Sequence, residues 1–132
     1  MIWLPGSLSK EVDQAGLEAW AELSGDVNPL HVDPAFARGT RYGRTIIHGH
    51  LSLTWLMEWA GRFQGAGWVT GGRLAELRFR QPLHPGITYR VEGREEPDRS
   101  GAARVEILLP DGTPAVSALA SGSSAGADGP PA

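Results

Sequence analysis

The chain has 132 residues, 41% hydrophobic and 20% charged, which suits one globular domain with a real core. It contains no cysteine, which excludes a disulfide framework and a thiolate metal site. A net charge of −3, with no basic stripe interleaved by aromatics, argues against a nucleic-acid binder.

The first residues, MIWLPGSLSKEVD, lack a basic region followed by a long apolar run, so no secretory signal is expected. No stretch approaches the roughly 18 apolar residues of a membrane span. The expectation is a cytoplasmic protein. Ile2 to Ser9 reads as a short strand or extended lead-in, broken at Pro5-Gly6. VDQAGLEAWAELSG then reads as a helix, with Asp13 as cap and Leu17, Trp20, Ala21 and Leu23 near one face. Ser24-Gly25 is its stop signal. The next stretch, SGDVNPLHVD (Ser24 to Asp33), is expected in a loop, and DPAFARGT as one or two helical turns with Pro34 in the first.

From Gly49, GHLSLTWLMEWAGRF predicts a helix that is apolar almost all round, with Leu51, Trp55, Met57, Trp59 and Phe63. Glu58 and Arg62 form an i,i+4 pair on the face that remains. Such a helix belongs in the interior. The rest of the chain supplies strands to wrap it. Period-two alternation sets Ala75, Leu77 and Phe79 against Glu76, Arg78 and Arg80, and Ile87, Tyr89 and Val91 against Thr88, Arg90 and Glu92. Val105, Ile107 and Leu109 share a face, as do Val116, Ala118 and Ala120. One apolar face per strand means an antiparallel sheet covered on one side. PDRSG and PDGT are turn signals. The expected architecture is α+β: one domain over residues 1–121, a bent antiparallel sheet around a long central helix, and a disordered tail over 122–132.

Asp26, Asn28 and Pro29 are common turn formers. His31 and Asp33 add titratable groups that no turn requires. IIHGHL, Ile46 to Leu51, sets His48 and Gly49 at the mouth of the buried helix, where unpaired N–H groups and the positive dipole end can stabilise a developing oxyanion. Glycine there lets a substrate carbonyl approach the backbone. An acid/base pair beside such a helix start is what an acyl-thioester enzyme needs.

SGDVNPLHVDPAFA followed by IIHGHL closely resembles the signature of the MaoC-like, or (R)-specific enoyl-CoA hydratase, family. LRFRQPLHPGITYRV, with Phe79, Pro82 and Gly86, resembles its later strand pair, so the likeness runs from about Trp20 to Val91. It implies the hot-dog fold, a long helix wrapped by a strongly bent sheet. It also implies reversible syn addition of water to a trans-2-enoyl thioester, giving a (3R)-3-hydroxyacyl thioester. By the same resemblance Asp26 and His31 are the catalytic dyad, Asn28 positions groups around them, and the Gly49 N–H is the oxyanion donor. No metal or redox cofactor is implied; a coenzyme A or acyl-carrier thioester is the substrate, and the protein is expected to be a homodimer.

His48 is read as a support that bonds the loop backbone. His50 departs from the methionine frequent in the family, and Met57 stands where some members carry a hydroxyl residue. His50, Trp55 and Arg44 are the candidate substrate contacts, Arg44 with Arg38 and Arg41 as a possible phosphate-facing group. His84 reads as a solvated loop histidine. Two other readings stay open: a hot-dog acyl thioesterase, and a non-catalytic or heterodimeric dehydratase subunit. A metal site from His31, Asp33, His48 and His50 fits no ligand-spacing template.

Overall fold

The computed structural model describes residues 6–122. The first part of the expected lead-in (1–5) and the expected tail from 123 on lie outside them.

Helix α1 spans Gln14–Ser24. The Asp13 carboxylate accepts from the Gly16 N–H at 2.8 Å, satisfying a first-turn donor. Gly25 closes the helix in the left-handed conformation (φ 83°), which glycine adopts without a Cβ penalty. Leu17 and Ala21 are buried, but Leu23 is exposed. Two residues past Ala21 is about 200° around the helix, so Leu23 faces away from the stripe it was expected to join. Two short helices follow, α2 (Pro29–Val32) and α3 (Pro34–Arg38). The stretch expected to be loop therefore contains a helical turn. Asn28 caps it, accepting from the Leu30 N–H at 2.9 Å, and Pro29 presets its first φ.

The central helix α4 spans Gly49–Gln64. Its buried residues Ser52, Trp55, Leu56, Trp59 and Ala60 follow the spacing of a single helical stripe. The other side is open: Met57 is 47% and Phe63 37% exposed. The sheet thus covers one face of a helix that the sequence led us to expect buried all round. A short helix α5, Ala66–Gly71, follows after Gly65 breaks α4; the glycine-rich run GAGWVTGG gave no sign of it.

The strands are β1 (Leu8–Lys10), β2 (Arg73–Phe79), β3 (Tyr89–Glu95), β4 (Ala102–Leu108) and β5 (Pro114–Ser121). They form one sheet in the order β1-β3-β4-β5-β2, every neighbouring pair antiparallel. Tyr89, Val91, Val105, Ile107, Val116, Ala118 and Ala120 are buried with Trp55, Leu56 and Trp59 of α4 in one core. PDGT makes the β4–β5 turn, where the Leu109 N–H donates to the Thr113 carbonyl at 2.8 Å.

β2 departs from strict alternation. Its pairing with β5 shifts between Ala75 and Arg78, and Glu76 sits at φ 53°, a bulge. The extra residue reverses the pleat. Leu74 and Leu77 pack on the core, while Ala75 is exposed and Phe79 is 55% exposed. Of the expected inward set Ala75, Leu77 and Phe79, only Leu77 packs on the core.

Candidate active site

The short helix α2 is tied down from both sides. The Gln14 amide donates to the His31 carbonyl at 2.9 Å, and the Thr45 hydroxyl donates to the Gln14 Oε1 at 2.6 Å. The Ile46 N–H donates to the Leu30 carbonyl at 3.2 Å, and the Ile47 N–H to the Leu83 carbonyl at 2.7 Å. His84 joins this frame rather than facing solvent. Its Nδ1 lies 2.9 Å from the Thr45 carbonyl, and its backbone N–H donates to the Tyr89 hydroxyl at 2.7 Å. Loop 45–48 is thereby strapped between α2 and the segment before β3.

The frame orients the imidazole of His31. Its Nδ1 lies 2.8 Å from the Ile46 carbonyl. A carbonyl can only accept, so Nδ1 carries the proton and, in the neutral ring, Nε2 presents a lone pair. Nε2 lies 3.8 Å from Oδ2 of Asp26, with 12% of the His31 side chain and 40% of the Asp26 side chain exposed. That separation is too long for a direct hydrogen bond and suits a shared water. Asp26 Oδ1 accepts from the Asn28 N–H at 3.3 Å, which leaves Oδ2 for His31. Asn28 acts on this pair through the backbone: its own side chain caps α2.

His48 is fully buried and stacks on His31, with ring centroids 4.0 Å apart and planes 22° apart. Its Nε2 lies 3.0 Å from the Asp26 carbonyl, so Nε2 is the protonated nitrogen. Burial holds the His48 pKa below the ordinary 6.5, and charge on His31 or His50 would push the same way, against the Asp26 carbonyl bond and carboxylate. His48 is the spacer that stacks on the His31 ring and holds the Asp26 backbone carbonyl. Asp26, His31 and His48 offer ligand atoms within 4.8 Å of one another. Stacked rings aim their in-plane lone pairs side by side rather than at one point, so the donor set is poorly shaped for a common ion. Asp33 stands apart from it, capping α3 through the Phe36 N–H at 3.1 Å.

Folding lowers the His48 pKa, so the unfolded chain takes up this proton first. Its contribution to stability is complete above 6.5 and is lost as the pH falls from there through the lower folded value. Between about pH 7.5 and about 5.5 the Tm of the wild type should fall more steeply than that of His48→Gln, which keeps a donor but cannot titrate. Parallel slopes in a differential scanning series would contradict the assignment.

A cavity of about 500 Å³ opens beside the pair. His31 and Gly49 lie on its wall with Ser52, Phe79, Leu83 and Val116, and Arg41, Tyr42 and Arg80 border it. Asp26 is outside the wall, next to His31. Gly49 begins α4, so its N–H belongs to the first turn, where the helix offers no internal acceptor. A Cβ there would meet the Phe79 ring at 3.5 Å, an ordinary contact. The fold would accept alanine at 49; the open space belongs to the cavity.

Three residues expected to touch substrate are elsewhere. His50 is exposed and off the wall, about 100° around α4 from Gly49. Trp55 is buried against Tyr89, with ring centroids 6.4 Å apart, as part of the core. Arg44 is exposed and off the wall; of the three neighbouring arginines only Arg41 borders the cavity, lying over the Tyr42 ring at 4.9 Å and donating to its hydroxyl at 2.7 Å. Sequence reading missed Gln14, Thr45, Arg80 and Tyr42. None carries a local signal, because each acts across a long chain separation or only by lining space.

Residues 5–111 match the family described as MaoC like domain. The chain is 40% identical over 88 residues to the (R)-specific enoyl-CoA hydratase of Aeromonas caviae, a match covering 64% of each protein. It is 34% identical over 92 residues to the 3-hydroxybutyryl-CoA dehydratase of Methylorubrum extorquens, covering 69% of this chain and 57% of that one. The chain thus matches less than two thirds of these relatives' own length. The solved (R)-hydratase from A. caviae involved in PHA biosynthesis superposes with a TM-score of 0.69 at 29% identity, covering 92% of this chain and 96% of that chain. The architecture in common is the hot dog.

Proposed function

The chain belongs to the MaoC like domain family, and on that premise we propose that it is an (R)-specific enoyl-CoA hydratase, a hydro-lyase adding water reversibly and syn across a trans-2-enoyl thioester. One observation carries the reading: Asp26 Oδ2 and His31 Nε2 stand 3.8 Å apart beside a cavity whose wall includes Gly49 at the start of α4. In the proposed reaction a water held by the pair gives one proton to a member of it as its oxygen bonds to C3. The C2–C3 π electrons move toward the thioester carbonyl, and the developing oxyanion is met by the Gly49 N–H and the helix dipole. The other member, which enters the step protonated, delivers that proton to C2 on the same face. Water is thereby added in full, and one proton passing within the pair restores the starting state. Histidine suits either role because an imidazole nitrogen can take up or give a proton. The step calls for no metal or redox cofactor.

The proposal includes a cytoplasmic homodimer. Met57 and Phe63 on α4 are exposed apolar side chains that a second copy would cover. Among the described residues no helix is long and apolar enough to cross a membrane.

Crotonyl-CoA tests the activity. Hydration removes the enoyl absorbance without releasing thiol and yields the 3R product on chiral analysis. Free thiol appearing at the rate of substrate loss would establish a thioesterase instead. No turnover alone, with activity restored by a second hot-dog chain, would establish a heterodimeric subunit.

A further inference from the structure

The first cavity has a neighbour of opposite character. A basin of about 590 Å³ on the outer face of the sheet is lined by Arg78, Arg80, Arg94, Arg104, Glu76 and Glu106. Four guanidinium groups face two carboxylates. Glu106 is held by Arg94 at 2.8 Å, and Glu76 accepts from Arg104 at 3.3 Å. Arg78 gives one N–H to the Leu77 carbonyl at 2.9 Å, and Arg80 gives one to the Ser117 hydroxyl at 2.7 Å. Among the described residues neither Arg78 nor Arg80 has a carboxylate within ion-pair distance. A guanidinium has five N–H donors in a planar fork matched to phosphate oxygens, so most of this capacity is left unused by the described residues. Arg78 lies in β2 and Arg80 one residue past its end, both after the bulge at Glu76 and both lining the basin. Arg80 borders both cavities. Arg80 is thus the residue at which the His31 cavity and the outer basin meet.

We propose that this basin is a phosphate site for the carrier of the thioester, receiving the phosphorylated nucleotide end of a coenzyme A molecule whose acyl end occupies the His31–Gly49 cavity. The proposal rests on the hydratase reading for the second of these contacts only. A coenzyme nucleotide brings three phosphates in a compact tail that a basin of this size admits. An acyl-carrier protein offers one phosphodiester and an acidic surface, which would meet the 40% exposed Glu76 carboxylate.

Titration calorimetry of the intact protein with adenosine 3′,5′-bisphosphate tests the site without reference to catalysis. Saturable binding should weaken by at least about tenfold in Arg78→Glu and be largely kept in Arg78→Lys. A kinetic arm uses the wild type alone. The bisphosphate should compete with crotonyl-CoA and leave hydration of crotonyl-N-acetylcysteamine, which has no phosphate, unaffected. Absence of bisphosphate binding, binding indifferent to Arg78→Glu, equal inhibition of both thioesters, or competition by an acyl-carrier protein in place of the nucleotide would each overturn the proposal. Failure to hydrate either thioester would instead overturn the hydratase reading, with the calorimetry still deciding the basin.

Discussion

Asp26→Asn should slow hydration of crotonyl-CoA by about 10²–10⁴-fold while leaving a folded protein. The carboxamide has the shape of the carboxylate and can still accept from the Asn28 N–H through its oxygen, so the turn into α2 survives. The Asp26 side chain is 40% exposed and 3.8 Å from His31, a pairing that adds little to stability in water. An amide cannot take or return a proton at Oδ2, so one half of the acid/base pair is lost. His31→Ala should fall by a similar factor. The double variant should be hardly slower than either single one, because two members of one proton-transfer unit are not additive. Circular dichroism and the Tm report the fold; the rate of enoyl absorbance loss reports the chemistry. Near wild-type turnover in Asp26→Asn would remove the dyad from the mechanism.

How far these residues were legible in advance follows from the range of the interactions that place them. Asp26, Asn28, Pro29 and His31 stand out because their geometry is made locally: Asn28 caps the turn that Pro29 starts, and Asp26 bonds to the N–H two residues on. The same holds for Asp13 and Gly25 around α1. In strands β3, β4 and β5 the inward residues Val91, Val105, Ile107, Val116, Ala118 and Ala120 were legible because that face meets α4. The opposite face of β4 and β5, with Glu106, Ser117 and Leu119, is buried as well, and the pattern gave no sign of it. β2 misled because its bulge at Glu76 goes with contacts to Arg99 and Arg104, on a distant hairpin, which no window around residue 76 contains. The supports of His31 were invisible for the same reason. The Thr45 bond to Gln14 spans 31 residues and the His84 bond to Thr45 spans 39, and each is a single contact without a repeating pattern. Trp55 was misplaced because a tryptophan on a buried helix looks alike whether it lines a cavity or fills the core. Only the rotation from Gly49 decides, and a six-residue offset sends Trp55 toward Tyr89.

The largest expected loss of stability comes from Trp59, and its size depends on a glycine 34 residues away. Trp59 is fully buried, and its indole N–H points to the Gly6 carbonyl at 3.4 Å. The six-membered part of the ring lies over Gly93 of β3, so close that a Cβ at 93 would fall well inside van der Waals contact with it. Gly93 is thus needed for close approach, the strand leaving room for the widest side chain of α4. Trp59→Ala should destabilise by about 3–5 kcal/mol, the range for removing a large aromatic from a packed core. Gly93→Ala should destabilise by about 1–3 kcal/mol, because the added methyl displaces either the ring or the strand. The two changes act on the same space. In the double variant the methyl enters the volume the indole has left, and the combined loss in urea unfolding should fall clearly below the sum of the singles. An additive pair would mean that the ring does not lie over Gly93, and the packing of α4 on β3, which carries the start of that helix to the wall of the His31 cavity, would have to be redrawn.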